Sequence, residues 1–314
     1  MARLKVRVAF QGELGAYSEE AVRRYWPGDT AEPVPARSCA DVVRALENNA
    51  VDFGMLPIEN SLAGSVVPTY DALADSRECW VVGEEILPIH HCLLALPGAD
   101  IGAIRRVSSH PVALAQCGRF LERHRWMEAE AAYDTAGAAR DLAASGDRTR
   151  AAIAGRGAAE RFGLEILESE IEDRPDNQTR FLALARQQAV LTPGTEAHTA
   201  IIATTLNVPA ALYRLLEPLA ESGINLSKLD SRPTGEPWSY SFFLEIEHLS
   251  NDPKLAGVLA AMQGRAETLR ILGHFPRAPR DVGAHALPLS ASAMAPADLA
   301  AISPAVDQPA LEGR

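Results

Sequence analysis

Four short segments of this chain bring hydroxyl, amide or charged side chains together with small residues, and these are where chemistry could sit. They are Gly12-Glu13-Leu14-Gly15-Ala16-Tyr17-Ser18, Pro57-Ile58-Glu59-Asn60-Ser61-Leu62-Ala63-Gly64-Ser65, Ser108-Ser109-His110-Pro111 with Gln116 beyond it, and Asp176-Asn177-Gln178-Thr179-Arg180-Phe181. The first lies between a strand and a helix, where backbone amides can hold an anion. It is not G-x-G-x-x-G, because Phe10 stands at the first position, and a tight turn alone would explain it. The second ends a strand, and ligands of open α/β sheets bind at strand ends; a plain polar loop is the alternative. In the third, Ser109 is a natural cap for a helix with Pro111 in its first turn. Gln116 follows Ser109 by seven residues, two helical turns, on nearly the same face. Read alone, these are a capping serine and a surface glutamine. In the fourth, Thr179 and Arg180 alternate faces of an extended strand, one toward a cleft and the other toward the sheet's rear, unless the strand is merely an exposed edge.

Other chemistries have less support. His90 and His91 are neighbours in a predicted strand, so their side chains point to opposite faces and do not share a metal ion. No metal or other cofactor is expected. There is no G-x-S-x-G, and no spacing of carboxylates suggests paired acid–base work. The four cysteines (Cys39, Cys79, Cys92 and Cys117) are far apart, which suggests free thiols in a reducing cytoplasm. A net charge of −11 without a basic run argues against a nucleic-acid partner. Charges near the start oppose a signal peptide, and no stretch approaches the roughly 18 apolar residues of a membrane span.

Those segments are carried by alternating short strands and amphipathic helices over the first part of the chain. Strands are predicted at Val6–Phe10, at Phe53–Ile58 (broken by Pro57), and at 79–83, 87–96, 104–108, 129–133, 151–154 and 180–185. A helix opens at Ser18-Glu19-Glu20 and another at Ser38, whose Ser-Cys-Ala-Asp resembles a capping box; further helices fill 111–124, 135–145 and 156–162. Such alternation implies α/β packing with mainly parallel pairing. From residue 199 the order becomes βαββαβ, which is ferredoxin-like, with strands at 199–206, 226–231, 240–247 and 268–273 and helices at 209–222 and 253–265. Pro218 should kink the first of these helices. Residues 186–198 form a linker, and the Ala/Pro/Ser-rich tail at 278–314 is expected to be disordered.

Taken together and in order, these segments resemble prephenate dehydratase over roughly residues 4–277. The matching stretches are Val8 to Ser18, Pro57 to Val66, Ser109-His110-Pro111 with Gln116-Cys117, and Asn177-Gln178-Thr179-Arg180-Phe181. The later part is similar to an ACT domain, carried by Gly223 to Pro233. The resemblance implies a catalytic domain at 1–185 made of two lobes like those of type II periplasmic binding proteins. The first lobe would take about 1–85 and 166–185, the second about 86–165, with an ACT regulatory domain at 199–277. The family's essential threonine falls on Thr179, and the substrate-binding positions on Asn60, Ser61, Ser109, Gln116, Arg180 and Phe181.

The implied reaction removes water and carbon dioxide from prephenate to give phenylpyruvate, a step of phenylalanine biosynthesis in the cytoplasm. Thr179 would hydrogen-bond the departing hydroxyl, and helix starts near Ser18, Ser65 and Ser109 would offer amides to the carboxylates. Phenylalanine would bind between paired ACT domains of a homodimer or homotetramer, at Ala210, Ala211, Leu212, Asn225, Leu226, Asp230, Ser231, Arg232 and Pro233. Two departures bear on that site: the family's Gly-Ala-Leu is Ala210-Ala211-Leu212 here, and its Glu-Ser-Arg-Pro is Asp230-Ser231-Arg232-Pro233. They imply altered phenylalanine sensitivity. Two other readings share the resemblance: an arogenate dehydratase, and a non-catalytic ligand-binding regulator on the same fold. A fused chorismate mutase domain is not expected, since few residues precede the first strand.

Overall fold

A computed structural model describes residues 5–235 and 239–278; the expected tail lies almost wholly outside the described residues. The chain opens with β1 (Val6–Gln11), α1 (Tyr17–Tyr25), β2 (Ala31–Ala36), α2 (Cys39–Glu47), β3 (Phe53–Asn60), β4 (Gly64–Ser65), α3 (Val67–Asp75) and β5 (Trp80–Pro88). In α2, the Ser38 hydroxyl accepts from Asp41 N at 3.1 Å, the expected cap, and Val42, Val43 and Leu46 form the buried stripe. By contrast, α1 begins one residue before Ser18, and its N-cap Ala16 supplies no side chain. Gly15, just before it, has φ +90°, and a Cβ there would meet Ala158 Cα at 2.9 Å, so the turn needs glycine on both counts.

The second group comprises β6 (Cys92–Ala95), β7 (Arg106–Ser109), α4 (Pro111–Gln116), α5 (Gly118–Arg123), β8 (Glu128–Ala131), α6 (Thr135–Ser145), β9 (Arg150–Ala154), α7 (Arg156–Phe162) and β10 (Glu165–Ser169). Its sheet runs β10-β6-β9-β7-β8. The chain then returns with β11 (Gln178–Ala185), which inserts between β3 and β5 to give the first sheet the order β2-β1-β3-β11-β5. Two α/β lobes result, joined by crossovers after β5 and after β10.

Several expectations shift. The predicted strand 87–96 is two strands in different lobes, and the predicted helix 111–124 is broken at Cys117. Strand β10 belongs to the second lobe, so the lobe boundary falls after Ser169 rather than at 166. Pro57 does not end β3. A bulge opposite Arg180 and Phe181 accommodates it, and the strand continues to Asn60. Proline is tolerated at a bulge because no ladder donor is needed there.

The remaining described chain forms β12 (Glu196–Thr204), α8 (Ala211–Ser222), β13 (Asn225–Pro233), β14 (Tyr240–Leu249), α9 (Leu255–Gln263) and β15 (Thr268–Pro276). The antiparallel sheet β13-β14-β12-β15 with its two helices has the ferredoxin-like βαββαβ order. Ile201, Leu215, Leu219, Leu244, Ile246 and Met262 make its core. Pro218 lies inside α8, and the carbonyl of Arg214, which its missing N–H would have served, accepts from Arg265 Nη1 at 3.2 Å instead. This module packs β15 on β5, where Gly273 leaves room for the Val81 carbonyl. Among the described residues no helix is long and apolar enough to cross a membrane.

Candidate active site

The end of β3 and the start of β11 lie side by side, with Thr179 opposite Asn60 in the ladder. Asn60 then turns its carboxamide back on its own loop. Its Oδ1 accepts from the backbone N–H of Leu62 at 3.1 Å and of Ala63 at 2.8 Å. Both are donors only, so the oxygen and nitrogen of this amide are fixed without ambiguity. Its Nδ2 donates to Thr179 Oγ1 at 3.0 Å, to Asn177 Oδ1 at 2.8 Å and to the Gln178 carbonyl at 3.1 Å. Thr179 Oγ1 is therefore an acceptor from Asn60, and among the described residues no acceptor takes its own proton.

Across from these residues, the last residue of α4 in the second lobe contributes Gln116. Its Nε2 donates to Asn60 Oδ1 at 3.3 Å, and its Oε1 accepts from Asn177 Nδ2 at 3.1 Å. His91 Nε2 also lies 2.9 Å from that oxygen, and Tyr17 OH is 2.9 Å from His91 Nδ1 and 2.8 Å from the His90 carbonyl. Asn177 and His91 are buried, and Thr179 is nearly so. Burial pushes the Tyr17 phenol well up and the His91 imidazole down, holding both in their neutral forms. The groups that touch Thr179 and Asn60 are thus all uncharged.

Ser61 sits at this corner with its hydroxyl on the backbone: it accepts from Gln178 N at 2.9 Å and lies 3.4 Å from the Asp176 carbonyl. Three expected substrate contacts are placed elsewhere. Ser109 is fully buried and donates to the Ile153 carbonyl at 2.6 Å, which braces β7 on β9. It is not the cap of α4 either; that position is His110, whose Nδ1 accepts from Val112 N at 3.3 Å. Arg180 faces three carboxylates, with Glu245 at 2.7 Å, Glu84 at 3.0 Å and Glu59 at 3.6 Å. Phe181 is buried in the first lobe's core. The bulge at this point sets the alternation: Thr179 meets Asn60 while Arg180 meets the C-terminal module.

The Gly12–Gly15 turn is not an open anion cradle. Gly12 N donates to the Ala36 carbonyl, Glu13 N to Asp134 Oδ2 at 3.3 Å, and Gly15 N to Glu19 Oε2 at 2.6 Å. What it supplies instead is Tyr17. The residues that the sequence reading left out, Tyr17, His91 and Asn177, all fall in or beside motifs already singled out. His91 lies in the crossover between β5 and β6, not in a strand. Among the described residues no cluster could hold a metal ion, and the four cysteines are free and buried.

In the C-terminal module, Ala210 caps α8 in the left-handed region at φ 62°. A cavity of about 290 Å³ there is lined by Ala210, Ala211 and Leu212 together with Leu206, Tyr240 and Phe242. The other expected effector residues lie on the edge strand β13 and do not line it. Asn225 donates to Glu247 at 2.7 Å; Leu226 packs against the module's core, and Ser231 and Pro233 pair with β14. Asp230 accepts from Ser65, and Arg232 lies 3.6 Å from Asp71, so this strand grips the first lobe next to Asn60.

The chain is thus two α/β lobes that meet over a neutral amide-and-hydroxyl cluster, followed by a ferredoxin-like module. The prephenate dehydratase family profile matches residues 8–189. Arogenate dehydratase/prephenate dehydratase 2, chloroplastic, of Arabidopsis thaliana is 39% identical over 284 residues, covering 87% of this chain and 73% of its own. A bifunctional N-acyl-homoserine lactone acylase/prephenate dehydratase of Komagataeibacter europaeus is 36% identical over 274 residues, covering 87% of this chain and 96% of its own. The crystal structure of prephenate dehydratase in complex with L-Phe from Arthrobacter aurescens superposes with a TM-score of 0.81 at 29% identity, covering 94% of this chain and 96% of that one. The chain belongs to the prephenate dehydratase family and is an enzyme of the lyase class.

Proposed function

We propose that this chain converts prephenate to phenylpyruvate, with loss of the ring hydroxyl as water and of a carboxylate as carbon dioxide, in the cleft around Thr179. The observation that carries the reading is the bond from Asn60 Nδ2 to Thr179 Oγ1. It leaves the Thr179 O–H as a donor for the departing hydroxyl. Such assistance is worth on the order of 10²–10⁴-fold. The uncharged surroundings support the second half of the reaction, since a carboxylate is destabilised in a dry neutral site while carbon dioxide is not. Asn60 and Gln116 orient the substrate, and Ser61 fixes the corner they occupy.

The module at 196–276 is read as an ACT domain that takes phenylalanine as its effector. Its βαββαβ order supports this, as does the L-Phe complex of the Arthrobacter aurescens relative. Edge strand β13 fits pairing with a second copy, as in a homodimer or homotetramer. The cavity beside Ala210 would hold the side chain of the effector, with β13 of a partner closing it. The names of the plant relatives favour arogenate as an alternative substrate. Turnover on purified prephenate and arogenate, followed by absorbance of phenylpyruvate and phenylalanine release respectively, tests the reading. Faster turnover of arogenate would replace the substrate, and turnover of neither would remove the assignment.

A further inference from the structure

We infer that His91 is a positioning residue for this reaction, holding the Gln116 carboxamide through a proton on Nε2 while Tyr17 holds its Nδ1. The inference rests on the reading of Thr179 as the donor to the leaving group. It follows from the direction of each hydrogen bond, starting at the one place where direction is certain. The backbone amides of Leu62 and Ala63 fix Asn60 Oδ1 as an acceptor. Gln116 must therefore present its Nε2 to that oxygen, and its Oε1 to the far side. An oxygen facing His91 Nε2 at 2.9 Å requires the imidazole to carry its proton there. In a neutral ring Nδ1 is then bare, and the Tyr17 hydroxyl, 2.9 Å from it and 2.8 Å from the His90 carbonyl, shares its one proton between these two acceptors.

The polarity runs without a break from His91 through Gln116 and Asn60 to Thr179 Oγ1, and every member is either fixed by backbone or by its neighbour. If His91 carried its proton on Nδ1 instead, the Gln116 amide would turn over to present its NH₂ to the ring. Its oxygen would then face the Asn60 oxygen, two acceptors in contact, and the pair would separate or Asn60 would lose its loop. His91 also lies where the lobes join. Its N–H donates to Glu172 Oε2 at 2.9 Å, its carbonyl accepts from Ile171 N at 3.1 Å, and it is 2% exposed. Tyr17 comes from the first lobe and packs edge-on to the ring at 5.7 Å, in space that Gly155 leaves open. His91 thus ties the Tyr17 helix, the crossover and Gln116 of the second lobe to the atom that does the chemistry.

The test pairs a spectrum with kinetics on the full-length enzyme. Long-range proton–nitrogen correlation of protein labelled at histidine should show His91 neutral with its proton on Nε2 at pH 7; a proton on Nδ1 overturns the inference. His91→Leu should lower kcat on the order of tenfold, the cost of one buried hydrogen bond, with KM little changed. His91→Gln keeps a donor at the same reach and should recover most of kcat even though it loses the Tyr17 bond. Equal kcat in wild type, His91→Leu and His91→Gln would also overturn it, as would equal losses in both variants. Thr179→Val is run alongside. Full activity there sinks the reading of Thr179, whereas an inactive Thr179→Val beside an unaffected His91→Leu sinks the inference alone.

Discussion

Arg180 and Glu245 form a two-bonded ion pair, with Nη1 and Nη2 of the guanidinium 2.7 and 3.0 Å from the two carboxylate oxygens. The pair joins the strand that carries Thr179 to the central β14 of the C-terminal module. Burial works against the charge on Arg180, but Glu245 and Glu84 outweigh it and hold the guanidinium firmly protonated. Arg180→Leu leaves Glu245 buried without this two-bonded partner, and should cost about 3–5 kcal/mol in urea unfolding. Arg180→Leu with Glu245→Leu should cost less than the sum of the single changes. A strictly additive cycle would show that the pair does not hold the module in place.

Ser109 offers a contrasting case, because its hydroxyl braces two strands and does not face the cleft. Ser109→Ala should lower stability by about 1–3 kcal/mol through the lost buried hydrogen bond. It should leave kcat and KM on prephenate near their original values. A large rise in KM without loss of stability would return Ser109 to the substrate site.

Stability should also fall as pH rises toward neutrality through one carboxyl. Burial, with a smaller push from Glu84 and against the pull of Arg24, moves Glu85 up to about 7. In the unfolded chain a glutamate titrates near 4.3. The folded state therefore holds this proton more tightly: its contribution is complete below the unfolded value and is lost as pH climbs to about 7. Glu85→Gln should remove that slope, so the stability of the variant relative to wild type should rise between pH 5 and pH 8. Parallel denaturation curves for the two proteins across that range would count against the shift.

Ala210 holds a left-handed conformation that costs a side-chain-bearing residue about 1–2 kcal/mol. Ala210→Gly relieves this and gives back part of the gain in unfolded-chain entropy, so a net stabilisation of at most about 1 kcal/mol is expected. It should also tighten phenylalanine binding in isothermal titration, by letting the backbone approach the ligand. Unchanged affinity would place the effector away from the Ala210 turn.

Much of the architecture was legible because period and punctuation agree. Ser38 capped its helix as read, α6 and α7 fell on their predicted ranges, and the βαββαβ order stood out from its spacing. What alternation could not reveal was the bulge at Pro57, which depends on a partner strand more than a hundred residues away in sequence. Alternation already set Thr179 and Arg180 on opposite faces of their strand, but the C-terminal module that lies behind it is not visible in those residues. Thr179 stays at the cleft, while Arg180 and Phe181 serve the interface and the core. Ser109 looked like a cap because it stands between a strand and a helix with Pro111 in its first turn; the buried Ile153 carbonyl that claims it is not visible in one dimension. His91 had been set aside with the question of metal binding, and its role depends on a glutamine from the other lobe.

The central claim is that the Thr179 hydroxyl, oriented by Asn60, assists departure of the ring hydroxyl. Thr179→Val removes that donor while keeping the shape of the side chain, and steady-state turnover of prephenate measures the consequence. The account predicts a fall in kcat on the order of 10²–10⁴-fold, with unfolding and the secondary structure unchanged. Turnover close to that of the unaltered enzyme would contradict it.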